Sequence, residues 1–152
     1  MHVVSLDLSD PEIATELLAL QRRGYEVEAA LIGSRDIPPL EETLDELQGA
    51  REIFLGVLVQ GRIVGAVSYR LLGDTIDLHR LVVDPTHFRG RIGTTLVRAA
   101  LAAEPSAVRA IVQTGASNEP AKALYFHEGF EQTDELEVVP GLRIARFSKR
   151  LP

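Results

Sequence analysis

The chain has 152 residues, of which 45% are hydrophobic and 25% charged, a balance that fits one globular domain and excludes a disordered polymer. It has no cysteine, which excludes disulfides, thiolate metal sites and cysteine nucleophiles. No apolar run approaches the ~18 residues of a membrane span, and Met1-His2-Val3-Val4-Ser5 lacks the basic start and apolar stretch of a secretory signal. A cytoplasmic protein without a membrane contact is the expectation. The net charge of -6 argues against nucleic-acid binding. That charge is unevenly spread: residues 1–50 carry 11 acidic against 3 basic side chains, residues 51–152 carry 11 against 13. The split could be ordinary solvated helix faces, or an acidic lobe for a cationic partner beside a basic lobe for an anionic one.

A short first strand is expected from Val3, Ser5 and the Leu6/Leu8 pair. Asp10-Pro11-Glu12 then reads as a helix start: a capping carboxylate, a proline at the first helical position and an acid at the positive dipole end. Ile13, Leu17, Leu18 and Leu20 give that helix an apolar stripe. Residues 24–37 read as irregular, and Asp36-Ile37-Pro38-Pro39 marks a boundary before a second helix, with Leu40, Leu44 and Leu47 inward and an end near Gly49.

β-branched runs over 52–59 and 62–71 flank Gln60-Gly61, a hairpin signal, and Gly73-Asp74 turns the chain into a third run over 76–83. A helix over 91–104, a strand over 108–113 and a short helix over 120–128 follow. Strands over 131–138 and 142–149 close the chain around Pro140-Gly141. The order β-α-α-β-β-β-α-β-α-β-β predicts a single α+β domain over residues 1–152.

Two segments carry chemistry. The strand ending Leu81-Val82-Val83 runs through Asp84-Pro85 into Thr86-His87-Phe88-Arg89-Gly90-Arg91 and then a helix. A helix start presents amides with no internal partner and the positive end of the dipole, which together suit a phosphate or diphosphate. Arg89 and Arg91 add charge, while Gly90 and Gly93 allow a close backbone approach. A solvated basic turn is the competing reading. The segment is not an ATP-type phosphate loop, since no Gly-Lys pair occurs, nor a complete dinucleotide fingerprint. In the second segment, Asn118 can cap a helix that carries Ala121, Leu124 and Tyr125 and stops at Gly129-Phe130. Ala121 and Tyr125 share one face.

The two segments together, spaced as they are, resemble the GNAT superfamily of acyl-coenzyme A-dependent N-acyltransferases. Asn118, Ala121, Leu124, Tyr125, Gly129 and Phe130 match the second motif in full. The first departs from the pattern Gln/Arg-x-x-Gly-x-Gly/Ala: Phe88 stands at its first position and Arg91 at its fourth, where the pattern has glycine. The resemblance implies a mixed, mostly antiparallel sheet of six to seven strands with about four helices. It implies that Leu81, Val82 and Val83 hydrogen-bond the pantetheine arm of acetyl-CoA, that amides of Arg89, Gly90, Arg91, Ile92, Gly93 and Thr94 hold its diphosphate, and that Asn118 approaches the pantetheine. Tyr125 stands where the family places the general acid.

Two candidates for the base follow, and deprotonation through water stays open beside them. Asp77 lies where some members supply a carboxylate. His79 is nearer the expected thioester, and imidazoles exchange protons near neutral pH. Alternation predicts Asp77, His79 and Leu81 on one strand face, Leu78, Arg80 and Val82 on the other. The acceptor is expected against residues 20–40, where Glu26, Glu28 and Asp36 suit a cationic amine, in a small molecule or a peptide. The implied reaction is acetyl transfer to a primary amine, with a non-catalytic acyl-CoA-binding regulatory domain as the alternative. No metal is expected, since His2, His79, His87 and His127 lack ligand-like spacing. The closing strands of such folds often pair, so a homodimer is an expectation.

Overall fold

The computed structural model describes residues 2–35, 38–88 and 91–152. The elements follow the predicted order: β1 (His2–Ser5), α1 (Pro11–Ile32), α2 (Leu44–Gln48), β2 (Ile53–Val59), β3 (Arg62–Leu72), β4 (Thr75–Val83), α3 (Ile92–Ala102), β5 (Arg109–Gly115), α4 (Glu119–His127), β6 (Glu131–Val139) and β7 (Leu142–Arg150). The strands form one seven-stranded sheet in the order β1-β2-β3-β4-β5-β7-β6. Every neighbouring pair is antiparallel except β4 and β5, which run parallel. No described helix is long and apolar enough to cross a membrane.

Each sheet face has its own core. Leu17, Leu20, Leu47, Phe54, Ala66 and Val82 pack beneath α1 and α2. Val67, Tyr69, Leu78, Leu96, Val97 and Phe147 pack on the other face with α3, and Tyr125 of α4 joins them. Two-sided coverage accounts for β3, whose residues from Ile63 to Tyr69 are all buried and do not alternate.

Three local features depart from the sequence reading. Residues 24–32 are not irregular: α1 starts where Asp10 Oδ1 accepts from the Glu12 amide at 2.9 Å and ends at the left-handed Gly33, φ 68°. Gly24 is no breaker but a close-approach residue, since a Cβ there would lie 2.1 Å from Val82 Cγ2. The cost of a mid-helix glycine, about 1 kcal/mol, brings α1 down onto β4. Second, the segment after Pro38 is a 3-10 turn over Pro38–Glu41 followed by the short α2, which starts at a capping box. In that box Glu46 N–H donates to Thr43 Oγ1 at 3.2 Å and Thr43 N–H to Glu46 Oε1 at 3.0 Å.

The third feature reaches the site. The β3–β4 register runs Ser68 with Arg80 and then Tyr69 with Leu78, so His79 is the extra residue of a β-bulge. The bulge corrects the predicted alternation. Leu78 and Leu81 now share the α3 face, with Ile76 and Val83. Arg80 instead joins Asp77 and His79 on the face of α1 and α2, as its bonds to Gln21 and Glu42 and the His79–Asp77 contact record.

Candidate active site

β4 and β5 pair only over Thr75–Asp77 with Arg109–Ile111 and then part. From Leu78 onward, the edge of β4 that faces β5 has no strand partner among the described residues. Asp84 N–H donates to Val64 C=O at 2.8 Å on the β3 side, so strand alternation turns the backbone groups of Val83 and Leu81 toward the gap and those of Val82 toward β3. Val82 meanwhile sends its side chain into the α1 core. The gap opens into a cavity of about 620 Å³ bounded by β4, β5, α1, the start of α3, α4 and the start of β7.

One end of the cavity lies at α3. Thr95 N–H makes the first intrahelical bond, to Arg91 C=O at 3.0 Å, which leaves the amides of Ile92, Gly93 and Thr94 outside the ladder. Among the described residues, no side chain caps this helix start. Arg91 holds φ 59°, the left-handed region that favours glycine. The family pattern's glycine at this position answers to that backbone geometry. Arginine adopts it at a cost of about 1–2 kcal/mol, and Arg91 lines the cavity with Gly93, Thr94 and Phe88. Ile92 turns its side chain into the core. Arg89 and Gly90 lie outside the described residues, as does Asp36.

The cavity is also lined by Tyr25, Glu28, Asn118 and Tyr125. Tyr125, 4% exposed, is clamped by Phe130 in an edge contact (5.6 Å between centroids, 65°) and by Phe147 at 5.7 Å. Burial, and then the charge of Glu28, push its phenol well above the ordinary value of 10. Glu28, from α1, is raised above the usual carboxylate range by burial, against the hydrogen bonds of Asn118 and Thr114. Asn118 is itself buried: Oδ1 accepts from the Ala121 amide at 3.2 Å as the α4 cap, and Nδ2 donates to Glu28 Oε1 at 3.1 Å. Tyr25, one turn before Glu28, is also pushed above its ordinary range, by burial and then by Glu28. Ala121 and Leu124 complete the α4 wall beside Tyr125.

His79 lines the cavity on β4. Its Nε2 lies 3.1 Å from Asp77 Oδ2 and its Nδ1 3.9 Å from Glu52 Oε2. The structure therefore brings Tyr125, His79, Glu28 and Asn118 to one cavity, with Asp77 behind His79. It does not bring Glu26 there: that carboxylate faces solvent, where Arg35 holds both oxygens at 2.7 and 3.0 Å. Tyr25 and Thr114 are site residues that sequence reasoning missed. Tyr25 and Glu28 are three apart, a helix-face signal hidden once α1 was expected to stop at Gly24.

The family model described as the acetyltransferase (GNAT) family matches residues 15–130. The chain belongs to this family. The UPF0157 protein YqkA of Bacillus subtilis (strain 168) is 32% identical to this GNAT domain over 142 residues, which make up 93% of this chain and 41% of that protein. The chain thus spans about two fifths of that relative's length. Among solved structures, the PaiA N-acetyltransferase of Thermoplasma acidophilum in complex with coenzyme A superposes with a TM-score of 0.78 at 16% identity, covering 99% of this chain and 100% of that one. An aminoglycoside 6'-N-acetyltransferase complexed with coenzyme A gives 0.78 at 18%, covering 100% and 98%. The ribosomal-protein-S18-alanine N-acetyltransferase of Escherichia coli gives 0.76 at 17%, covering 98% and 92%. At these identities the likeness is one of fold: the mixed seven-stranded sheet with four helices is the GNAT fold.

Proposed function

We propose that this GNAT domain is an N-acetyltransferase that moves an acetyl group from acetyl-CoA to a primary amine of a small molecule or peptide. One observation carries the reading: among the described residues, a single cavity joins an uncapped helix start, an unpaired strand edge and a buried tyrosine beside a half-buried carboxylate. These groups fit coenzyme A. The amides of Ile92, Gly93 and Thr94, with Arg91 and the neighbouring Arg89 and Gly90, would hold its diphosphate. The backbone groups of Leu81 and Val83 would hold the pantetheine arm. Val82 serves by its side chain in the core instead, and Ala121 leaves room on the α4 side. Asn118, which already caps α4 and holds Glu28, would face the same arm.

Acetyl-CoA supplies an acyl group already activated as a thioester. The remaining tasks fall to this chain. Tyr125 holds a proton at its hydroxyl for the departing thiolate. Glu28 receives the cationic amine, and His79, its ring oriented by Asp77, takes the proton the amine must lose. Calorimetric titration with acetyl-CoA, followed by a mass-spectrometric screen for acetylated amines, tests the reading. Saturable binding with acetylated product is expected. Binding with no product in any amine would instead match a non-catalytic acyl-CoA-binding domain.

A second assignment of the base is favoured by the burial that raises the Glu28 carboxyl: Glu28 itself takes the amine's proton. Glu28→Gln separates the two. As an anchor, Glu28 affects mainly KM, and the acid limb of the pH–rate profile survives; as the base, its loss lowers kcat and removes that limb. Stability gives an independent readout. A carboxyl raised above 4.5 in the fold favours folding below that value and loses this contribution as pH rises through its folded pKa. Glu28→Gln is therefore expected to raise Tm at pH 7, with the gain shrinking as pH falls through the folded value and gone by about pH 4.5.

A further inference from the structure

The cavity has a third region that the roles above leave unassigned. Beyond Glu28, the last turn of α1 and the start of β7 form an apolar wall of Leu31, Ile32, Leu142 and Ile144. Leu31 is 46% exposed. Ile32 is pressed onto β5, where a Cβ on Gly115 would lie 2.6 Å from its Cγ2. Leu136 of β6 pairs across from Ile144 and extends the strip.

Among the described residues, the carboxylates beside this wall are already engaged. Among the described residues lining the cavity, Glu28 is the one carboxylate. On the β6–β7 hairpin beside it, Glu135 is held by Arg143 at 2.7 Å, Asp134 by Arg146, and Glu137 accepts from the Gly141 amide at 2.8 Å. A second ammonium group on the acceptor would rest against hydrocarbon, with its hydration lost and no counter-charge gained. A peptide would likewise lay backbone N–H and C=O groups on a surface with little to hydrogen-bond them.

We propose that the acceptor is a small monoamine whose single ammonium group is joined to an aliphatic or aromatic body, with the ammonium at Glu28 and the body on the wall of Leu31, Ile32, Leu142 and Ile144. The inference rests on the amine-acetyltransfer reading and narrows its substrate class.

The test uses the full chain with acetyl-CoA and four acceptors at equal concentration: hexylamine, phenethylamine, spermidine and a short peptide with a free N-terminus. Hexylamine and phenethylamine are expected to exceed spermidine and the peptide in kcat/KM by roughly tenfold or more. Leu31→Glu changes an exposed position, keeps a helix former and adds a carboxylate to the wall. It is expected to lower the hexylamine-to-spermidine ratio by about tenfold, whereas a merely structural effect would lower both rates alike and leave the ratio unchanged. A wild-type preference for spermidine or the peptide, or an unchanged ratio in the variant, overturns the monoamine assignment while acetyltransfer stands. Acetyl-CoA binding with no amine acetylated overturns both.

Discussion

Tyr125→Phe is expected to lower kcat by about 10²–10³-fold while acetyl-CoA affinity stays within about threefold. The phenol suits the task of a donor because two effects keep its proton in place. Burial disfavours the phenolate, and the negative charge of Glu28 disfavours it further. Without that proton, the thiol must leave as an anion inside a cavity whose walls are largely apolar, or wait for water. The ring itself is fixed by Phe130 and Phe147, and phenylalanine preserves both contacts. Stability and donor binding therefore serve as internal controls. Steady-state rates paired with calorimetry check the result, and an unchanged kcat would reduce Tyr125 to a packing residue. The raised phenol also predicts that wild-type activity shows no alkaline limb from Tyr125 until well above pH 10.

The strand and helix order was legible because local chemistry marks it. Gln60-Gly61, Gly73 and Pro140-Gly141 turn the chain, and Asp10 and Asn118 cap helices with side-chain bonds to the amides two and three residues on. The features that assemble the site were not legible, because each is a tertiary demand written in an ambiguous residue. Gly24 reads as a break, yet it is there so that α1 can touch Val82. With the helix carried past it, Glu26 and Glu28 fall about 200° apart around the axis, so only one can face the cavity. That one is Glu28, while Glu26 meets Arg35 in solvent. The bulge at His79 leaves no mark in a run of residues that alternates acceptably in either register. Arg91 stands where the family pattern has glycine, and its positive φ is a conformation that glycine adopts freely.

The same bulge turns Arg80 into the folding anchor of the site, and Arg80→Ala is expected to destabilise the domain by about 3–5 kcal/mol at pH 7. The guanidinium is enclosed: Nε donates to Glu52 Oε1 at 2.9 Å, Nη1 to Gln21 Oε1 at 3.0 Å, and Nη2 to Glu42 Oε2 at 3.0 Å. The ring of Phe54 lies beneath it, 5.3 Å from Cζ to the centroid. Its side chain is 9% exposed and that of Glu52 5%. Removing the arginine would leave Glu42 and Glu52 together beneath α1 and α2 with no cation between them.

The pH dependence gives the sign of the effect. Burial opposes ionisation of Glu52, but hydrogen bonds from Arg80 and Ser68 prevail and hold its carboxyl below the ordinary 4.5. The wild-type contribution is thus complete above about pH 4.5 and is lost as pH falls through the folded value. In Arg80→Ala, burial acts on Glu52 with the Arg80 bonds gone and chiefly Ser68 left to oppose it, so the variant loses stability as pH rises. The gap between the two proteins should widen from pH 4 to pH 7 in urea unfolding, and a constant gap would mean that Arg80 acts by packing alone. Because His79 and Leu81 flank Arg80 on the strand that borders the cavity, kcat/KM should fall with stability in the folded fraction of the variant.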